Sequence, residues 1–147
     1  YGFIPEENER DSYLQALKGR DGLSSPSVPA LVAHIAAYRD GAPWLDALRD
    51  YLQANMRYVA DTLNNAFPAL CWQPPEATYL AWIDLRPLNV DDRALQQALI
   101  AEQKVAIMPG YTYGPEGNGF LRLNVGCPRE KLERGVEGLI AALRSLS

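Results

Sequence analysis

Arg122 and Asn124, two residues apart in Phe120-Leu-Arg-Leu-Asn-Val-Gly-Cys-Pro-Arg129, are the side chains whose types and spacing best suit ligand chemistry. Read with period two, Leu121, Leu123 and Val125 point to one face of a strand, and Phe120, Arg122 and Asn124 to the other. The apolar face suits a core. The other carries a guanidinium with an amide beside it, followed by Gly126 and a helix opened by Pro128. A planar fork of N–H donors matches a carboxylate held through two parallel hydrogen bonds. A solvated arginine on a half-exposed antiparallel strand is the simpler alternative that spacing leaves open.

Upstream, Gly110-Tyr-Thr-Tyr-Gly114 sets two phenols, Tyr111 and Tyr113, on a proline–glycine loop that could wall a pocket beside Arg122. A solvent-facing aromatic loop fits equally well. Gly114-Pro-Glu-Gly-Asn-Gly119 lacks the order of a phosphate-binding loop, and no helix opens directly after it, so it reads as a hairpin connection. His34, the single histidine, has no Cys, Asp or Glu at metal-ligand spacing and reads as a packed helix residue. Cys127 reads as a small packing residue at a helix entry, and Trp44, Trp72 and Trp82 as core or interface aromatics.

The elements that must position these residues follow from periodicity. Residues 7–18 predict a short helix with Tyr13, Leu14 and Leu17 on one side and a stop at Lys18-Gly19. Val28, Leu31, Val32, Ile35 and Ala36 predict an amphipathic helix ending near Asp40-Gly41. A long helix starts at Pro43, with Leu45, Leu48, Leu52, Met56, Val59 and Leu63 at steps of three and four until Phe67-Pro68. These two helices are expected to pack on one another. Then come a strand over Thr78–Leu85, a helix over Asp91–Gln103 capped by Asp91, and a strand over Val105–Met108. A turn-rich loop, the strand Phe120–Val125 and a helix over Pro128–Leu146 close the chain. Strand–helix–strand–strand–helix predicts a small α/β or α+β layer.

The chain has 147 residues, 48% hydrophobic and 22% charged, enough for one domain with a useful core. A net charge of −4 without a basic block disfavours nucleic-acid and anionic-membrane partners, and no apolar run reaches the ~20 residues that span a bilayer. The two cysteines, Cys71 and Cys127, form no disulfide framework or metal motif, which suits a reduced cytoplasmic setting. Tyr1-Gly-Phe-Ile4 reads as the tail of a strand, so a piece of a longer protein is expected.

Taken in order, Pro75-Glu-Ala-Thr-Tyr-Leu-Ala-Trp-Ile-Asp84, Val105-Ala-Ile-Met-Pro-Gly-Tyr-Thr-Tyr-Gly114 and Arg122-x-Asn124-x-x-Cys127-Pro128-Arg129 resemble the C-terminal part of fold type I pyridoxal-phosphate (PLP) enzymes, the aspartate aminotransferase superfamily. They are most similar to the MalY/PatB-type cystathionine β-lyases. The resemblance implies residues 1–27 as the end of the large cofactor-binding domain and 28–147 as the C-terminal small domain, helices on a small, mainly antiparallel sheet. It implies β-elimination from a cysteine S-conjugate to thiol, pyruvate and ammonia, with PLP as electron sink. Arg122 falls where the family holds the substrate α-carboxylate; Tyr111 and Tyr113 border the cleft, and Gly110 and Asn124 support it. Ala77 stands where relatives often have glycine, Tyr113 where many have phenylalanine, and Ser24-Ser-Pro-Ser27 where Asn-Pro-Phe-Gly is commoner. That last loop is implied at the partner subunit's site.

Lys18, Lys104 and Lys131 are the only lysines, and none has the Ser or Thr three residues before it that suits the cofactor lysine. The chain alone is therefore expected to be inactive. The resemblance also implies a homodimer acting on a small amino acid, and leaves two alternatives open. One is a PLP-dependent aminotransferase. The other is an interaction module with a transcription-regulator partner, since members of this group are associated with repression of a maltose-system activator.

Overall fold

A computed structural model of the chain describes residues 4–22 and 27–146; Tyr1–Phe3 and the Leu23–Pro26 part of the serine-rich loop lie outside the described residues. The chain divides into two compact units, Tyr1–Asp46 and Ala47–Ser147.

In the first unit α1 spans Glu7–Gln15 and runs on as a π-helical turn, Ala16–Arg20, past the stop expected at Lys18-Gly19. Helix α2, Val28–Asp40, is capped as its sequence dictates: Ser27 Oγ accepts from the Ala30 amide at 3.3 Å. Neither helix buries a residue. The stripe of α2 stays open, with Val28 71%, Val32 62% and Ile35 60% exposed.

The second unit carries the core. Helix α3, Ala42–Ala66, enters it at Ala47; α4 is Asp92–Ala101 and α5 is Arg129–Ser145. The strands β1 (Leu80–Asp84), β2 (Met108–Pro109) and β3 (Phe120–Asn124) form one antiparallel sheet in the order β1-β3-β2. Met56, Val59 and Leu63 of α3, Leu95 and Leu99 of α4, and Leu132, Val136, Leu139 and Leu143 of α5 recur at three- and four-residue steps and are all buried. They join Ala81, Ile83, Leu121 and Leu123 from the sheet's inner face in a single apolar cluster. Burying each large aliphatic side chain stabilises the fold by about 1.5–3 kcal/mol. The outer face of the sheet is left for Trp82, Arg122 and Met108.

Two strand boundaries differ from the periodicity. β1 begins at Leu80, because Thr78 takes φ 74°, a left-handed value that a strand does not accommodate. The strand expected over Val105–Met108 is reduced to Met108–Pro109. The Val105 amide donates instead to the Leu99 carbonyl at 2.9 Å, and Gln96 Nε2 donates to the Ile107 carbonyl. Groups a ladder would use are taken by α4.

Candidate functional site

Arg122 lies on the central strand of the sheet, in register with Trp82 of β1 on one side and Met108 of β2 on the other. Its neighbours Leu121 and Leu123 are 2% and 8% exposed, so the core fixes the backbone while the guanidinium stands on the outer face. The Arg122 Cζ lies 4.7 Å from the centroid of the Tyr113 ring. Among the described residues no carboxylate pairs with Arg122. A half-buried guanidinium resting on an aromatic face keeps its planar fork of donors available to an anion.

The loop that delivers Tyr113 is tightly built. It folds as two short 3-10 turns, Gly110–Tyr113 and Pro115–Gly117, which cross at Gly110 and Gly117. A Cβ at Gly117 would collide with the Gly110 carbonyl, so only glycine permits the crossing. The Thr112 hydroxyl donates to the Pro109 carbonyl at 2.8 Å, and the Gly119 amide donates to Asp92 Oδ2 at 2.7 Å. Asp92 opens α4 just after its cap, Asp91, whose carboxylate accepts from the Arg93 and Ala94 amides at 3.1 and 2.7 Å. Thus α4 holds the loop from behind.

The two tyrosines part company. Tyr113 goes to Arg122, whereas Tyr111 lies beneath Arg93, 5.1 Å from its Cζ, at the start of α4. Asn124 turns back on its own chain: its Oδ1 accepts from the Gly126 amide at 2.8 Å and shapes the exit of β3. Gly110 is buried at the crossing. His34 is exposed beside Tyr38, with ring centroids 4.8 Å apart. Of the tryptophans, Trp72 is 7% exposed, whereas Trp44 and Trp82 are 70% and 38% exposed. Cys71 and Cys127 are both free thiols.

Beyond β3 the Arg122 edge opens on a groove of ≈590 Å³, lined among others by Met108, Asn124, Lys104, Lys131 and Arg134. Its lining holds four cations and no carboxylate, a field that draws anions towards Arg122. On the same sheet face Asp84 and Arg86 form a bidentate pair at 2.8 and 2.6 Å. The Arg86 hydrogen bonds hold the Asp84 carboxyl below its usual range.

Two residues that sequence periodicity does not single out shape the site. Asn55, 1% exposed on the inner stripe of α3, donates to the Val125 carbonyl at 2.9 Å and so ties down the end of β3. Trp82 becomes a neighbour of Arg122 only through strand register. A polar residue inside an apolar helical stripe was the legible signal for Asn55; Trp82 had none.

Comparison with known proteins identifies the family. The aminotransferase class I and II family matches residues 2–139. Protein MalY of Escherichia coli is 70% identical over 99% of the chain, and the cystathionine β-lyase PatB of Bacillus subtilis 38% identical over 95%. Among solved structures, cystalysin from Treponema denticola, which contains PLP, covers 99% of the chain with a TM-score of 0.83 at 29% identity. The PLP-bound C–S lyase of Staphylococcus hominis covers 90% with a TM-score of 0.78 at 31% identity. The chain spans 37%, 36%, 36% and 35% of these four proteins, respectively.

The residues present do not by themselves hold PLP. The three lysines, Lys18, Lys104 and Lys131, are all exposed. Lys104 Nζ is moreover engaged by the Ala101 carbonyl at 2.6 Å. The glycine-rich loop offers no phosphate cradle either, since its Gly119 amide is taken by Asp92. What the sheet does present is the guanidinium of Arg122 on its outer face, and the chain belongs to the aminotransferase class I and II family, similar over nearly its whole length to MalY and to the cystathionine β-lyase PatB.

Proposed function

We propose that this chain is the C-terminal, substrate-orienting part of a PLP-dependent C–S β-lyase, with 1–27 closing the cofactor domain and 28–147 forming the small domain. The whole enzyme converts a cysteine S-conjugate of the cystathionine type to thiol, pyruvate and ammonia. PLP, held by the remainder of the enzyme, supplies the electron sink. Arg122 grips the α-carboxylate through two charge-assisted hydrogen bonds and fixes the substrate's rotation about that anchor. Tyr113 backs the guanidinium, Tyr111 lines the loop's other side, and Gly110 and Asn124 hold the backbone that carries them. The observation that carries this reading is a central-strand arginine with no carboxylate partner in the described structure, lying on an aromatic face.

The working form is a cytoplasmic homodimer. The open apolar stripe of α2, on a chain spanning little more than a third of its relatives, supports burial in a larger assembly. Two free cysteines suit a reducing compartment.

The test is Arg122→Lys in the full-length protein. It keeps the charge and loses the fork, which should lower kcat/KM for cystathionine by about ten- to a hundredfold, the worth of a charged hydrogen bond of ~1.5–3 kcal/mol. Near-normal kcat/KM in this variant and in Arg122→Ala would remove the carboxylate role.

A further inference from the structure

The outer face of the sheet carries a continuous layer of five side chains. Arg86 Cζ lies 4.6 Å from the Phe120 ring centroid, and Phe120 stacks on Trp82 at 5.7 Å and 22°. Trp82 meets Tyr113 edge-on at 5.6 Å and 70°, and Tyr113 underlies Arg122 at 4.7 Å. One end of the layer is anchored, because Asp84 binds Arg86 through both carboxylate oxygens. At the other end is the fork of Arg122. Trp82 stands between them, and its carbonyl accepts from Trp72 Nε1 at 2.8 Å.

An indole that remains 38% exposed on the outer face is not placed there by core burial. Its two ring contacts are directed, one stacked and one edge-on, in the arrangements aromatic quadrupoles favour. An arginine without a partner samples many rotamers, and binding must order them. A flat ring beneath the guanidinium restricts that sampling to rotation in one plane.

We propose that Trp82 is a positioning residue for the carboxylate fork: it holds Tyr113 edge-on, and Tyr113 sets the plane of the Arg122 guanidinium. The inference rests on the carboxylate reading of Arg122. It assigns Trp82 no contact with substrate.

A double-mutant cycle in the full-length protein tests it. Trp82→Ala should lower kcat/KM for cystathionine by about three- to tenfold, in line with the loss of an aromatic pair, and Trp82→Phe should restore most of it. In an Arg122→Ala background the same Trp82→Ala change should cost less than about twofold, because the group it positions is gone. An equal loss in both backgrounds, or no loss in the parent, overturns the positioning role while leaving the Arg122 reading intact. Failure of Arg122→Ala alone to lower kcat/KM overturns both. Should Trp82→Ala not fold, Tyr113→Leu breaks the same layer at a 48% exposed position, and the cycle with Arg122 is read the same way.

Discussion

Arg122 and Arg129 belong to one strand-to-helix passage, yet the fold uses them in opposite ways. Arg129, the first residue of α5, has its donors engaged: Nε to Glu133 at 2.9 Å, and Nη1 to Asn55 Oδ1 at 3.3 Å and the Ala54 carbonyl at 3.4 Å. Its Cζ lies 3.9 Å from the Tyr58 ring. Arg122 has an aromatic support and no anionic partner among the described residues. Arg129 is thus tied both to its own helix α5 and to α3. It is a structural clamp. The contrast separates an arginine that holds α3 to α5 from one whose fork is still open to a ligand.

The largest effect expected is the one that would break this contrast outright. Arg122→Ala should reduce kcat/KM of the full-length protein by more than about a hundredfold and change stability by less than about 0.5 kcal/mol, since it removes no buried contact. Activity assays beside urea denaturation read both quantities. A large loss of stability with a small loss of activity would make Arg122 the structural residue of the two.

On the other side of the contrast, Asn55→Leu should cost about 2–3 kcal/mol while leaving the Arg122 fork intact. The substitution removes the donor to the Val125 carbonyl and the acceptor for Arg129 in a site where water does not replace them. The urea midpoint should fall with an unchanged denaturant slope. A cost below about 0.5 kcal/mol would show that Tyr51, which donates to the Cys127 carbonyl at 2.8 Å, is enough to fix the passage.

The two arginines also show how much of the molecule is legible in its residues. The helical stripes of α4 and α5, the Met56–Leu63 part of the α3 stripe, the Asp91 cap and the inward set of β3 follow local periodicity, and the sheet is antiparallel as the family resemblance implies. Arg122 as the candidate ligand residue was visible for the same reason, since alternation alone puts it opposite Leu121 and Leu123. Its neighbours were not. Trp82 and Met108 come beside it through register between segments far apart in sequence, which is set by the hairpin loop and the buried face together. The loop's two tyrosines look equivalent in sequence, and only the crossing at Gly110 and Gly117 sends Tyr113 to Arg122 and Tyr111 to α4. The α2 stripe was read correctly as apolar, but burial is a property of what surrounds a helix as well as of its residues.

A smaller effect is expected from Arg129→Met, which keeps a flexible stem over Tyr58 and removes the charge. The clamp is half exposed, with side chains of Arg129 and Glu133 39% and 41% exposed, so its Coulombic part is screened. Together with the ring contact and the bond to Asn55, the loss should be about 1–2 kcal/mol, with kcat/KM within a fewfold of the parent. A fall in kcat/KM as deep as that of Arg122→Lys, without a matching loss of stability, would place Arg129 at the substrate.

The smallest effect concerns the third arginine, the one paired on the same outer face as Arg122. Asp84 is held below its ordinary pKa chiefly by the Arg86 side-chain hydrogen bonds. A depressed carboxyl contributes stability above its unfolded pKa and loses that contribution as pH falls through the lowered folded value. Arg86 is raised by the same pair, but its titration lies above the working range. Asp84→Asn keeps an acceptor for the Arg86 amide, bonded at 3.0 Å, and deletes the charge. The variant should therefore be slightly less stable than the parent near neutrality, and the two should converge in acid below the lowered Asp84 value. The side chains are 64% and 34% exposed, so added salt should shrink the neutral-pH difference. Chemical denaturation across pH at two ionic strengths measures this. A difference that persists in acid and ignores salt would mean that Asp84 acts through its shape rather than its charge. The Arg86 end of the aromatic layer would then be anchored by packing, as Arg122 is supported by Tyr113, and not by an ion pair.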